Sequence, residues 1–494
     1  MILGINNYTQ GGRDTAIYQT ALWQAGNFYN PIYFMGPGNG DSVFFSLHVM
    51  PIGFAYGLLY SIFPSIYTTA IIYIIIYVGT FIFTYLSTKN ITNNKIIALG
   101  FSIIFLTCYS RPIHDFYPLD DWAILFISGG LYFYTLKSFK ITTIFWIIAS
   151  LHKEYYSLSV AGFGIAILLS ALVFKTKILN VGLRKYEIKY ALIWIVGGIS
   201  WFLIAFFGIM AGPDGTWENQ ALFTTIGGVK GIISEPLYAI KYFNQKLLNP
   251  TTQSFLFKLF IPLCFLSIIG FEYTLSIIPI VFILLLADGE NTTVSHGHYT
   301  NWFFPFIING GALGYKRLMG KINHILIRRT VICLVLICTS YNIISGLRLH
   351  RYWLKSKINE SYAMTYYRDD VKMALDKIPP NAKVATDEYL LPYFANRRFI
   401  FHLSKLDRFK PDYIIRDANQ NGENRINNSI YSNIYGDSFW NVINKDPKIY
   451  YDSYDQKYMN IKNDLYEDYN LIYRFGSIAI YELKMRKNTL FNFF

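Results

Sequence analysis

Charge is what this sequence has least of. Only 15% of its 494 residues are Asp, Glu, Lys or Arg, against about a quarter in soluble globular domains, while 53% are hydrophobic. That balance excludes an ordinary water-soluble enzyme and marks a membrane protein. Cysteine is scarce as well: Cys108, Cys264, Cys333 and Cys338 all sit inside apolar runs and lack metal-ligand spacing, so packing is their expected role rather than redox chemistry or metal binding. Residues 1–43 hold no apolar core between a basic start and a small-residue cleavage site, so no secretory signal peptide is expected. The formal charge of +13 is not gathered on one polar region, which removes nucleic acid from the expected partners. What abounds is aromatic: 41 Tyr and 40 Phe, a composition that fits both an aromatic-rich bilayer interface and an A/T-rich genome.

Apolar stretches of about bilayer length run through 68–87, 96–110, 119–136, 141–151, 156–174, 190–211, 255–270, 273–287, 300–315 and 330–347, which predicts about ten transmembrane helices. The stretch 44–63 is also apolar, but it carries His48 and Pro51 and ends in Phe63-Pro64-Ser65. It reads as a helix lying at the interface, with a further span as the alternative.

Cytoplasmic loops collect Lys and Arg, and the short loops here split into two alternating sets. Lys89, Lys95, Lys137, Lys140, the 175–189 segment and the 316–329 segment are basic, with Glu187 the one acid counted among them. They are assigned to the cytoplasm. Asp14, Asp41, His114, Asp115, Asp120, Asp121, His152 and Glu154, then the 214–235 and 288–298 segments, form the opposite set. The alternation requires 44–63 not to cross, and it places residues 1–43 and the tail after 348 outside, in the plasma membrane of a multi-pass protein.

After Arg348 the composition becomes that of an ordinary folded domain. Residues 381–403 alternate a short strand, a helical turn and another strand; 411–417 reads as a buried strand; 471–483 reads as a hairpin turning at Gly476-Ser477. Three regions result: an outward first loop with interfacial helices (1–67), a transmembrane helical domain (68–348) and a small extracytoplasmic α/β domain (349–494).

Ionisable residues at a span edge are costly enough to suggest function, and five polar segments reach the outer side: RDTAIYQTALW (13–23), NGDSVFFSLH (39–48), RPIHDFYPLDD (111–121), LHKEYY (151–156) and SHGHYTNW (295–302). LHKEYY is the most informative, since His152, Lys153 and Glu154 stand where a two-residue turn would suffice. A lysine beside a carboxylate could hold a phosphate or a sugar hydroxyl; a mutual ion pair closing a helical hairpin is the structural alternative. Asp14 could serve as a base or as a helix N-cap, roles that are compatible. His296, His298, His152, His114 and His48 make a divalent metal conceivable, but a hydrogen-bonding role for them is favoured because no spacing indicates a metal.

These motifs resemble a family of prokaryotic multi-pass membrane proteins grouped under a domain of unknown function, itself similar to GT-C glycosyltransferases. RDTAIYQTALW is similar to the family's acidic first-loop motif at Asp14, LHVMPIGFAYGLLYSIFPS (47–65) to its His-x-x-Pro helix, DFYPLDDWAILF (115–126) to its Phe-His-Pro-Glu segment, LHKEYYSLSVAGFGI (151–165) to its Lys-Glu-Asp segment and HYTNWFFPFI (298–307) to its Tyr-rich entry to a late span. Residues 376–398 and PDYIIRD look like its outer domain. Tyr117 stands where the family has His, and Tyr155 where it has an acid.

The resemblance implies a GT-C-like fold and a membrane glycosyltransferase that takes a sugar from a polyprenyl-phosphate donor and passes it to a glycan, lipid or protein acceptor at the outer face. Asp14 would be the catalytic base. Lys153 and Glu154 would line the carrier-phosphate or sugar pocket, and Asp120 or Asp121 would stand at the family's Glu. Asp41, His48, His114, Asp115, His152, His298 and Tyr299 complete the expected substrate-binding set. The family also has a span before the acidic loop, so an upstream apolar segment is expected. A transporter or lipid-handling protein, or a non-catalytic envelope-binding member, are the alternatives; the first would place ionisable groups at midplane depth in broken, repeated spans.

Overall fold

The computed structural model describes residues 13–29, 49–109, 118–172, 184–209, 234–286, 301–322, scattered positions between 330 and 347, then 365–386, 390–403, 410–417, 468–475 and 478–484. The first helix, α1 (Arg13–Gly26), lies against α2 (Ile52–Ile62). They approach through glycine: a Cβ on Gly26 would fall 2.2 Å from the Gly57 carbonyl oxygen. Gly57 also meets Leu22, and Gly26 meets Ser61. Both pairs keep one sequence offset, so the two helices run parallel.

The helical body follows. Helix α3 (Ile66–Thr92) packs on α5 (Pro118–Thr135); α5 packs on α6 (Phe139–Ser150); α7 (Tyr156–Leu172) packs on α8 (Arg184–Leu203). Helix α3 begins at Ser65, whose side chain accepts from the Tyr67 amide. It runs past the expected end near 87 because nothing stops it before Asn93, which adopts φ 55 and closes the helix in the left-handed region. Asn94 then caps α4 (Lys95–Ile104), accepting from the amides of Ile96 and Ile97. Two π-helical segments, Phe105–Tyr109 and Ile204–Ile209, extend α4 and α8.

Among the described residues two helices are long and apolar enough to cross a membrane, Ile66–Thr92 and Lys185–Ile209; shorter apolar helices occupy several of the other expected stretches. Both long helices turn aliphatic side chains outward, Ile71, Ile75 and Val78 on one and Leu192, Val196 and Leu203 on the other. The expected span at 255–270 is not one continuous helix. Helix α9 (Pro236–Leu248) and α10 (Pro250–Phe260) lead into a 3-10 turn at Ile261–Leu263, and α11 (Leu266–Ile269) and α12 (Phe271–Thr274) are single turns. Pro262 removes a backbone donor, and Cys264 and Phe265 both take positive φ, so the apolar run is folded back on itself. Beyond it lie α13 (Ile278–Leu286) and α14 (Phe304–Lys321). Gly270 lets α14 approach, since a Cβ there would sit 1.9 Å from the Gly310 carbonyl oxygen.

The C-terminal module contains α15 (Thr365–Lys377) and a five-stranded mixed sheet in the order β2-β1-β3-β5-β4. Strands β1 (Val384–Thr386), β2 (Ile400–His402) and β3 (Tyr413–Asp417) are parallel, while β4 (Tyr469–Phe475) and β5 (Ile478–Leu483) add an antiparallel hairpin to β3. Ala385, Ile400, Ile414, Ile415 and Ile480 are buried in its core.

Candidate functional site

The clearest cluster is the turn between α6 and α7. Its His152, Lys153 and Glu154 are all buried, at 0%, 5% and 0% exposure, in a turn where water would ordinarily solvate them. Burying ions costs several kcal/mol each unless the surroundings compensate, so each contact matters. Glu154 Oε2 accepts from the Val49 amide at 3.1 Å. Its own carbonyl accepts from the Ser157 hydroxyl at 2.6 Å, and the Lys153 carbonyl accepts from the Tyr156 amide, which starts α7. The Ile52 amide donates to the Leu151 carbonyl. The turn is therefore fastened to the chain entering α2.

His152 is fixed from both sides. Its Nδ1 lies 2.8 Å from the Ile148 carbonyl oxygen, which can only accept, so Nδ1 carries the proton. In the neutral ring Nε2 is then the acceptor for the Tyr56 hydroxyl at 2.9 Å. The Tyr56 ring stands edge-on to Trp122, centroids 4.3 Å apart, and the imidazole lies 5.2 Å from Phe126. This joins the turn to Trp122 and Phe126 in the first half of α5, whose first turn contains Asp120 and Asp121.

Other chain segments reach the same end. Trp201 donates to the Ser150 carbonyl at 3.0 Å, Tyr155 packs near Phe202, and Val49 is buried with Ala205 and Phe206. Tyr156 meets Trp302 edge-on at 5.0 Å, three residues beyond Tyr299. The start of α2, the start of α5, the 151–156 turn, the end of α8 and the residues leading into α14 thus converge.

Of the sequence-predicted residues, His152, Lys153 and Glu154 are brought together here. Asp14 sits in the first turn of α1 and Asp120 and Asp121 in the first turn of α5; their side chains lie outside the described residues. Asp41, His48, His114, Asp115, His298 and Tyr299 also lie outside them. Among the described residues no group of three or more His, Cys, Asp or Glu could hold a metal ion.

Sequence reasoning missed three groups. Tyr56 was hidden in an apolar stretch. Gln19, on α1, is 1% exposed with neither amide atom hydrogen-bonded. The third is at the other end of the bundle, where Glu272 is 1% exposed and its carboxylate is engaged by Arg317: Nη1 reaches Oε2 at 2.6 Å, Nη2 contacts Oε1, and Ser170 donates to Oε1 at 3.0 Å.

Residues 7–447 match the family described as predicted membrane protein (DUF2079). The chain belongs to this family. The DUF2079 match takes in α1, the buried turn, every helix of the body and strands β1 to β3. No curated protein matches the chain. For this DUF2079 protein, then, the chemistry must be read from the site itself.

Proposed function

We propose that the chain is a multi-pass glycosyltransferase of GT-C-like fold in the plasma membrane, working at the outer face on a polyprenyl-phosphate-linked sugar, with the C-terminal module extracytoplasmic. The observation that carries this reading is the burial of Lys153 and Glu154 side by side, with Glu154 bound to the Val49 amide just before α2. A lysine out of water is a strong electrostatic partner for a phosphate, and its neighbours in the turn, His152, Tyr155 and Tyr156, pack against aromatic rings.

In the proposed reaction Asp14 accepts the proton of an acceptor hydroxyl as that oxygen bonds to the anomeric carbon. The bond from that carbon to the carrier-phosphate oxygen breaks, and the phosphate leaves with the bonding pair, its charge met by Lys153. Glu154 orients the turn and His152 keeps it anchored to Tyr56. Asp120 or Asp121 contacts sugar hydroxyls. The polarity of the bundle supports this orientation: the converging segments lie at the end assigned outward, while Arg317, Glu272 and Ser170 meet at the end assigned to the cytoplasm by its Lys and Arg.

The test is sugar transfer from a labelled polyprenyl-phosphate donor in membranes containing the wild type or Asp14→Asn. The expected result is loss of transfer with protein level unchanged. Transfer at the wild-type rate would reject the role of Asp14.

A further inference from the structure

Helix α1 does not rest on the membrane body alone. Its polar face is received by the C-terminal module, more than 370 positions along the chain. Thr20 Oγ1 donates to the Ala395 carbonyl at 3.2 Å and Gln24 Nε2 to the Arg398 carbonyl at 2.8 Å. Thr20 and Gln24 are spaced one helical turn apart and are buried, so the face that would otherwise be wet is satisfied by backbone of the 395–398 segment.

Helix α2 is gripped by the same segment. Asn396 Oδ1 accepts from the Tyr60 hydroxyl at 2.8 Å, and its Nδ2 donates to the Pro64 carbonyl at 2.5 Å. Just past α1, the Arg398 guanidinium lies 4.9 Å from the Tyr29 ring centroid and 5.1 Å from that of Phe399. A cation near the C-terminus of α1 also suits the helix dipole. The receiving segment is itself held: buried Arg397 donates to the Phe394 carbonyl at 2.8 Å, and burial pulls its pKa down to about 10.

We infer that the 395–398 segment is a positioning element of the site, in which Asn396, Thr20 and Gln24 fix the helix that carries Asp14 relative to the helix whose start is bound by Glu154. This rests on the proposed function for its catalytic consequence. The mechanical part stands on the contacts alone. Helices α1 and α2 approach closely at Gly26 and Gly57, with Ala25 and Ser61 beside the contact. Across that contact, Asn396 holds α2 and the Pro64 carbonyl beyond it, while the flanking carbonyls of Ala395 and Arg398 hold α1.

Two arms test this, in a background lacking the native cysteines. First, Thr20→Cys with Ala395→Cys should form an intrachain disulfide on mild oxidation of intact membranes; failure to crosslink would overturn the clamp, whatever the protein's activity. Second, Asn396→Ala should lower kcat for sugar transfer by about 10–100-fold, the scale expected for a small misplacement of a catalytic group, with KM for the donor within about twofold. Closing the 20–395 disulfide in Asn396→Ala should restore most of the rate. Wild-type kcat in Asn396→Ala, or no recovery on crosslinking, would overturn the positioning role. If the wild type itself transfers no sugar, the functional reading fails and the crosslink still decides the clamp.

Discussion

The Glu154 carboxylate accepts a hydrogen bond from the Val49 backbone amide, at 3.1 Å across 105 positions of sequence. One buried acid thereby ties the turn between α6 and α7 to the entry of α2. Glu154→Ala would leave that amide buried without its acceptor, at an expected cost of about 1–3 kcal/mol. Glu154→Gln keeps an oxygen for it and should unfold near the wild-type temperature. Thermal unfolding of both variants in detergent checks the difference; equal stability of Ala and Gln would show that the contact contributes nothing.

Gln19 should behave in the opposite sense. Its amide is buried without a hydrogen bond, and replacing an unsatisfied polar group by an apolar one of similar shape is neutral or stabilising. Gln19→Leu is expected to raise or preserve the unfolding temperature in a detergent melt. A destabilised Gln19→Leu would assign the amide to packing.

At the other end of the bundle, Arg317→Met strips Glu272 of its guanidinium and leaves a buried carboxylate without the cation that neutralises it. The expected loss is about 3–5 kcal/mol. The double variant Arg317→Met with Glu272→Leu should recover a large part of it, because no charge then stays buried. Detergent unfolding curves for the two decide whether the pair is a stabilising contact or a mutual neutralisation.

Alkaline pH should weaken the C-terminal module first. Burial, with smaller contributions from Asp468 and Asp412, pushes Tyr469 up from 10 to about 12, and its hydroxyl donates to the Pro411 carbonyl at 2.8 Å. A raised folded-state pKa contributes stability that is intact below the unfolded value and declines as pH passes from about 10 to 12. Circular dichroism across that window should show a loss that is smaller in Tyr469→Phe.

Two glycines give a control pair. Gly270→Ala drives a Cβ into the Gly310 backbone, whereas a Cβ on Gly197 meets nothing within 4 Å. Gly197→Ala should be neutral or stabilise by about 0.5–1 kcal/mol through helix propensity, while Gly270→Ala should unfold at clearly lower temperature.

Local chemistry was legible in the sequence. The strand, helical turn and strand expected within 381–403 and the strand expected at 411–417 are present as Val384–Thr386, Leu391–Phe394, Ile400–His402 and Tyr413–Asp417, and the polar interruption at 152–154 marked a turn. The family membership was legible from short motifs spread along the chain. What sequence could not reveal depends on distant partners. Asn396 looks like any loop asparagine until Tyr60 and Pro64 come to it from more than 330 positions away. Glu272 is masked by the apolar residues around it, and its partner Arg317 lay in a basic loop already explained by topology. The fold-back at Cys264 and Phe265 escaped because hydropathy alone does not report backbone dihedrals.

In the proposed site Asp14 and the 152–155 turn face one hollow. The most direct measurement is the distance between spin labels placed at Asp14→Cys and Tyr155→Cys in reconstituted membranes. The expected separation is within about 20 Å, the limit that one carrier headgroup and the side chains on either side can bridge. A well-defined distance beyond that would contradict a shared site.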